Sequence, residues 1–239
     1  MKKIGRYVVC GLLGKGGMGK VYKASAPVTG KIVALKLLAP NPFLLSYLNK
    51  AEIIAMFQKE AITMANLRHP NIVDILDFDT YESSFFYTMS FYCNNLGLMI
   101  GESYDTEAPS RILPLLKAIF YTRQTLKGLD RLHAEGIIHR DIKPFNLLVT
   151  DDDTVKICDF GLSLLRGEKK NARSSLKIGS PFYAAPEQER DPDHADERSD
   201  LYSTGVMFYR MITGKLPSFP LDRPSIVNPQ LDEAWDDPI

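Results

Sequence analysis

The sequence predicts an α+β chain in two parts, a small antiparallel β-sheet with one helix over residues 1–93 and a mainly helical part over residues 94–239. Short β-branched and aromatic segments alternate with turn residues as far as Phe91. Apolar side chains then recur at steps of four and three from Leu115 to His133. A loop from Asn94 to Ser110 separates the two patterns.

In chain order, Tyr7 to Leu13, Val21 to Ser25 and Ile32 to Leu38 read as an antiparallel meander, joined by a glycine cluster and by the turn Pro27-Val28-Thr29-Gly30. One long helix is expected between Leu44 and Leu67, where Ile54, Phe57, Ala61 and Met64 share a helical face. His69-Pro70-Asn71 stops it, and Ile72 to Phe78 and Phe85 to Phe91 supply two more strands around Glu82-Ser83-Ser84. In the second part, Leu115, Ile119, Thr122, Leu126, Leu129 and His133 mark a core-facing helix capped by Gly136. Asn146 to Val149 and Val155 to Cys158 form a hairpin. A buried helix over Leu201 to Ile212 follows, with Asp200 at its N-cap, before a proline-broken tail.

The 239 residues are 45% apolar and 24% charged, enough for one sizeable core or two small ones. The 29 Lys and Arg balance 29 Asp and Glu, so no overall field draws the chain to nucleic acid or anionic lipid, and neither is an expected partner. No apolar run reaches the about 20 residues of a membrane helix; Pro114 and Lys117 break the stretch from Arg111 to Tyr121. Met1-Lys2-Lys3-Ile4-Gly5-Arg6 has no apolar stretch behind it, so the expected compartment is the cytosol. Cys10, Cys93 and Cys158 are too few and too irregular for a disulfide framework or a zinc site and read as reduced small hydrophobes. Any metal here takes oxygen ligands.

Three stretches carry chemistry. Gly14-Lys15-Gly16-Gly17-Met18-Gly19-Lys20-Val21 matches G-x-G-x-x-G-x-V between two strands, where missing side chains let backbone N–H groups approach phosphate oxygens. A dinucleotide fold needs a helix next, and Val21-Tyr22-Lys23 reads as strand. In Val33-Ala34-Leu35-Lys36, period-two alternation puts Ala34 and Lys36 on one face. Finally His139-Arg140-Asp141-Ile142-Lys143-Pro144-Phe145-Asn146 and Asp159-Phe160-Gly161 bring two carboxylates, a lysine and an amide to one hairpin, the residue types that phosphoryl transfer needs.

With Ala185-Pro186-Glu187 added, the ordered set from about Tyr7 to Leu216 resembles the protein kinase family, in its serine/threonine branch. Leu13 to Gly19 and His69-Pro70-Asn71-Ile72-Val73 resemble its bacterial members. The resemblance implies a bilobal fold that uses ATP and Mg²⁺. It implies that Leu13, Gly14, Lys15, Gly16, Gly17, Met18, Gly19 and Lys20 cover the nucleotide, and that Lys36, braced by Glu60, holds the α- and β-phosphates. By the same resemblance Val21, Ala34 and Leu148 sandwich the adenine, Met89 is the gatekeeper, Ser90 and Tyr92 offer backbone bonds, and Cys158 lies beside the nucleotide. Asp141 orients and deprotonates the acceptor hydroxyl, Lys143 steadies the γ-phosphate, and Asn146 and Asp159 hold the metal. Lys143 and Ser180 mark the serine/threonine type, and the implied partner is a protein with a Ser or Thr acceptor.

The segment between Gly161 and Ala185 is basic and carries Ser174 and Ser175, candidate autophosphorylation sites whose phosphate would pair with Arg140. Asp200 matches the family's buried aspartate beneath the catalytic-loop backbone. The resemblance also implies that the large lobe is truncated. Leu231-Asp232-Glu233-Ala234-Trp235 then opens a further helix, and Glu187 is left as an unpaired buried carboxylate that lowers stability. Two alternatives stand beside the kinase reading: a non-catalytic module of the same fold, and a small-molecule kinase, which Ala185-Pro186-Glu187 and Ser180 disfavour.

Overall fold

The computed structural model describes residues 2–102, 108–160, 164–165, 182–190, 195–218 and 220–236. The chain divides into two units, Met1–Cys93 and Asn94–Ile239.

The first unit is a six-stranded antiparallel sheet of β1 (Lys3–Ile4), β2 (Tyr7–Lys15), β3 (Gly19–Ser25), β4 (Ile32–Leu38), β5 (Ile75–Tyr81) and β6 (Ser84–Ser90), ordered β1-β2-β3-β4-β6-β5. Alternation sorts its side chains. One face gathers Ile4, Tyr7, Tyr22, Ala24, Val33, Leu35 and Phe86 into a core. On the other, Val21 pairs with Lys36, Lys36 with Tyr87 and Ala34 with Met89. Here the Phe57 ring lies 5.2 Å from Tyr87 and 6.2 Å from Phe78.

The single helix expected from Leu44 to Leu67 is two, α1 (Pro42–Tyr47) and α2 (Lys50–Asn66). Asn49 breaks it: its extended backbone, at ψ 164°, and a capping box shared with Glu52 satisfy the first N–H groups of α2 better than a continuous helix would. The buried stripe of α2 includes Ile53, Phe57, Ala61 and Met64, with Ile54 only half-buried. β5 begins at Ile75 instead of Ile72, because Ile72 and Val73 are plugged into the interior beyond a turn in which Ile72 N–H donates to His69 O.

In the second unit the expected loop after Asn94 contains β7 (Asn94–Asn95) and α3 (Leu96–Ile100). Asn95 caps α3 at its start, and Gly101 ends it with φ +67°. The long helix α4 (Leu115–Ala134) turns Ala118, Tyr121, Thr125, Gly128, Leu129 and Leu132 inward. The predicted stripe is therefore rotated, with Leu126 exposed and the small residues Ala118, Thr125 and Gly128 among those buried.

β8 (Ile137–Ile138) leads into the catalytic-loop motif and a 3-10 turn (Pro144–Asn146). β9 (Leu147–Val149) and β10 (Val155–Ile157) then form the hairpin, and β7 pairs with β9. β11 (Leu164–Leu165) pairs with β8. α5 (Pro186–Arg190), α6 (Glu197–Thr213) and α7 (Pro224–Val227) follow among the described residues. α6 starts earlier than expected and its N-cap is Asp196, not Asp200. The stretch expected to open a helix at Leu231 is a 3-10 turn, Glu233–Trp235. Among the described residues, no helix is long and apolar enough to cross a membrane.

Candidate active site

In the first unit, Lys36 Nζ donates to Glu60 Oε1 at 2.7 Å across the β4–α2 boundary, and Tyr87 Oη donates to the same oxygen at 2.9 Å. The side chains of Lys36 and Glu60 are 9% and 1% exposed, so the cation is held rigidly and its partner is almost dry. Val21, Ala34 and Met89 share the sheet face of Lys36 by register. Ser90 ends β6, with its N–H on Asp74 O at 3.4 Å, and Tyr92 follows in the loop.

The glycine stretch is a hairpin turn. Gly14 pairs with Val21 and Lys15 with Lys20, while Asn41 N–H donates to Gly17 O and Ala39 N–H to Met18 O. Its glycines have different reasons to be there. A Cβ at Gly19 would clash with Leu37 O, whereas at Gly14 or Gly16 it would meet no described atom within 4 Å. Space that a Cβ would fill, beside a turn with Leu13 and Lys15 exposed and Met18 and Lys20 half-buried, suits the close approach of phosphate to backbone.

In the second unit, the loop from His139 to Asn146 is bonded within itself. Lys143 Nζ donates to Asp141 Oδ2 at 2.7 Å, and Asn146 Nδ2 donates to Asp141 O at 2.8 Å and to Oδ2 at 2.9 Å. The amide hydrogens of Asn146 are thereby spent within the loop, which leaves its Oδ1 for a cation. Burial raises the Asp141 pKa above the ordinary aspartate value; Lys143 opposes the rise, and the nearby Asp159 charge adds to it.

Two residues beside these groups have left-handed backbone, Arg140 at φ +68° and Asp159 at φ +66°. Such non-glycine conformations cost about 1–3 kcal/mol each and persist where their surroundings impose them. For Arg140 the surroundings are clear. Asp200, fully buried on α6, accepts from Arg140 N–H at 2.8 Å and from His139 N–H at 2.9 Å, and lies 2.8 Å from His133 Nε2. Gln188 Nε2 donates to Arg140 O at 2.7 Å.

The buried His139 ring ties the loop to the hairpin's far side. Its Nδ1 accepts from Asp141 N–H at 3.3 Å, so Nε2 carries the proton and donates to Cys158 O at 3.2 Å. Cys158 N–H donates to Asn146 O at 3.0 Å, and the Phe160 ring packs 5.1 Å from His139. Asn146 and Asp159 thus sit at the two ends of one hairpin, and Leu148 lies within it on β9.

Sequence reasoning assigned no role to His139, Gln188 or Tyr87. The motif letters mark His139, but Gln188 and Tyr87 bear no local signal, because their partners lie 48 and 27 residues away. Cys158 is buried as expected, whereas Cys10 and Cys93 are exposed. Glu187 corrects an expectation: it is half-exposed and accepts from Ser199 Oγ at 2.8 Å, so it is not an unpaired buried carboxylate. Gly161, Ser174, Ser175, Ser180 and the basic stretch around them lie outside the described residues.

The family described as protein kinase domain matches residues 7–235. The chain is 36% identical to the probable serine/threonine-protein kinase PknB of Lactococcus lactis, over 89% of this chain and 32% of that protein. It is 34% identical to the serine/threonine-protein kinase pkn3 of Myxococcus xanthus, over 89% and 38%, and 30% identical to the serine/threonine-protein kinase PrkC of Bacillus subtilis, over 89% and 31%. The chain spans about a third of the length of these relatives.

Proposed function

Since the chain belongs to the protein kinase family, we propose that it transfers the γ-phosphoryl group of ATP to serine or threonine hydroxyls of proteins. The observation that carries this is the catalytic loop, where the Lys143 and Asn146 side chains both bond Asp141 through Oδ2, at 2.7 and 2.9 Å. The other oxygen, Oδ1, is then the one that accepts the acceptor hydroxyl's proton as that oxygen bonds to the γ-phosphorus and the bond to the β-phosphate oxygen breaks. The raised pKa of Asp141 makes it a stronger base than a solvated aspartate. Lys143 supplies positive charge beside the moving phosphoryl group, and Lys36 supplies it to the α- and β-phosphates.

Bound Mg²⁺ would neutralise phosphate charge, and the fitting ligands here are Asn146 Oδ1 and Asp159. Substrate phosphates and water would complete its shell. Leu13 to Val21, Ala34, Met89, Ser90, Tyr92 and Leu148 are assigned to the nucleotide, and Ser174 or Ser175 to autophosphorylation. The free thiols fit a reducing cytosol.

The test is transfer from labelled ATP with Mg²⁺ to a generic basic protein, with Asp141→Asn as control. Loss of the base lowers the rate by about 10²–10⁴-fold. An Asp141→Asn chain as fast as the parent defeats the reading, and transfer to small alcohols alone replaces the protein acceptor with a metabolite.

A further inference from the structure

A buried charged cluster in the second unit takes no part in the chemistry above. Glu102 follows the left-handed cap of α3, its N–H donating to Gly97 O at 2.8 Å. Its Oε1 accepts from Tyr183 Oη at 2.7 Å and lies 3.8 Å from Arg210 Nε. All three residues are buried. Burial raises the Glu102 pKa, and the Tyr183 hydroxyl, Arg210 and Lys143 work against the rise. A carboxylate, a phenol and a guanidinium withdrawn from water are expensive to assemble and pin whatever they join.

What they join is the stretch after residue 181. Tyr183 is held at both ends, by Glu102 on its hydroxyl and by Ser203 Oγ, which donates to Tyr183 O at 2.7 Å. Further along, Glu187 accepts from Ser199, and Gln188 donates to the carbonyl of Arg140, the neighbour of Asp141. One helix, α6, therefore carries Asp200 under the catalytic loop, Ser199 and Ser203 under the stretch 182–188, and Arg210 beside Glu102. Phe182, next to the clamped Tyr183, is exposed. The stretch is thus partly open to solvent while bonded to the catalytic loop, and none of its side chains is assigned to the nucleotide.

We propose that Glu102 is a positioning residue for the protein acceptor: through Tyr183, and with Arg210 holding its charge, it fixes residues 182–185 in register with Asp141. The inference rests on the kinase reading above. Glu102 touches no reacting atom, so its effect falls on acceptor binding and leaves nucleotide binding alone.

The experiment compares the full chain with Tyr183→Phe, which removes one hydroxyl, with Glu102→Gln, and with Arg210→Lys, which keeps the charge. Acceptor KM, ATP KM, kcat and ATP turnover without acceptor are measured for each. Loss of a hydrogen bond to a buried charge raises acceptor KM about tenfold in Tyr183→Phe and Glu102→Gln. ATP KM and acceptor-free turnover stay as in the parent, and Arg210→Lys lies between. Unchanged acceptor KM, or acceptor and ATP KM rising together, overturns the proposal. If the parent transfers nothing, the kinase reading has failed on its own account. Amide exchange over residues 182–185 then judges the clamp: faster exchange in Tyr183→Phe supports it, and unchanged exchange overturns it.

Discussion

Lys36–Glu60 in the first unit and Lys143–Asp141 in the second are ion pairs of the same length, 2.7 Å. Their partners are 24 and 2 residues apart in sequence. The first pair exists only if α2 docks on the sheet with Phe57 against Tyr87, and its side chains are 9% and 1% exposed. The second is made by one bend of chain, with 23% and 8% exposure. Its difficulty is conformational, since Arg140 must adopt positive φ and is held there from α6, 60 residues downstream. A long-range pair tests packing; a short-range pair tests the scaffold under a strained loop.

The largest effect should come from that scaffold. Asp200→Ala strands the N–H groups of His139 and Arg140 together with the His133 ring, and should cost about 4 kcal/mol of unfolding free energy. Chemical denaturation measures it, and a loss below that of a surface control would show that the loop holds its own shape. The long-range pair comes next. Lys36→Met removes the lysine bond from the buried Glu60 carboxylate, a loss of about 3 kcal/mol, whereas Lys36→Met with Glu60→Leu should recover most of it. Equal losses in the single and the double variant would mean that packing, not charge, dominates this boundary.

The smallest effect has the opposite sign. Because the folded pKa of Asp141 is raised, its contribution to stability is present below the ordinary aspartate value and is lost as pH rises through the folded value. Asp141→Asn should therefore be more stable than the parent at neutral pH. The gap should close on acidification. A variant less stable than the parent at pH 7, as read from thermal midpoints, would place the Lys143 bond above the burial cost.

How far the sequence could be read depended on the range of the interaction. Ile32 to Leu38 is β4 as predicted, because alternation is written residue by residue. The division of the helix at Asn49 was legible in Asn49-Lys50-Ala51-Glu52, a capping box that lay inside an apolar pattern. The rotation of α4 was not legible, since periodicity marks large apolar residues and the buried face includes Ala118, Thr125 and Gly128. Asp200 as support for the catalytic loop came from resemblance alone, and its place as N-cap went to Asp196.

The sequence by itself determined the kinds of groups available for phosphate chemistry and the local turns that present them, because residue type and near-neighbour spacing set donor chemistry, strand alternation and capping. Only the tertiary structure decided which oxygen of Asp141 is bonded and which is left, that Glu187 meets Ser199, and that Glu102, Tyr183 and Arg210 share one dry site. Those pairings join residues dozens of positions apart, and the energy that selects them, desolvation set against a few directed bonds, has no value until the chain has closed around it.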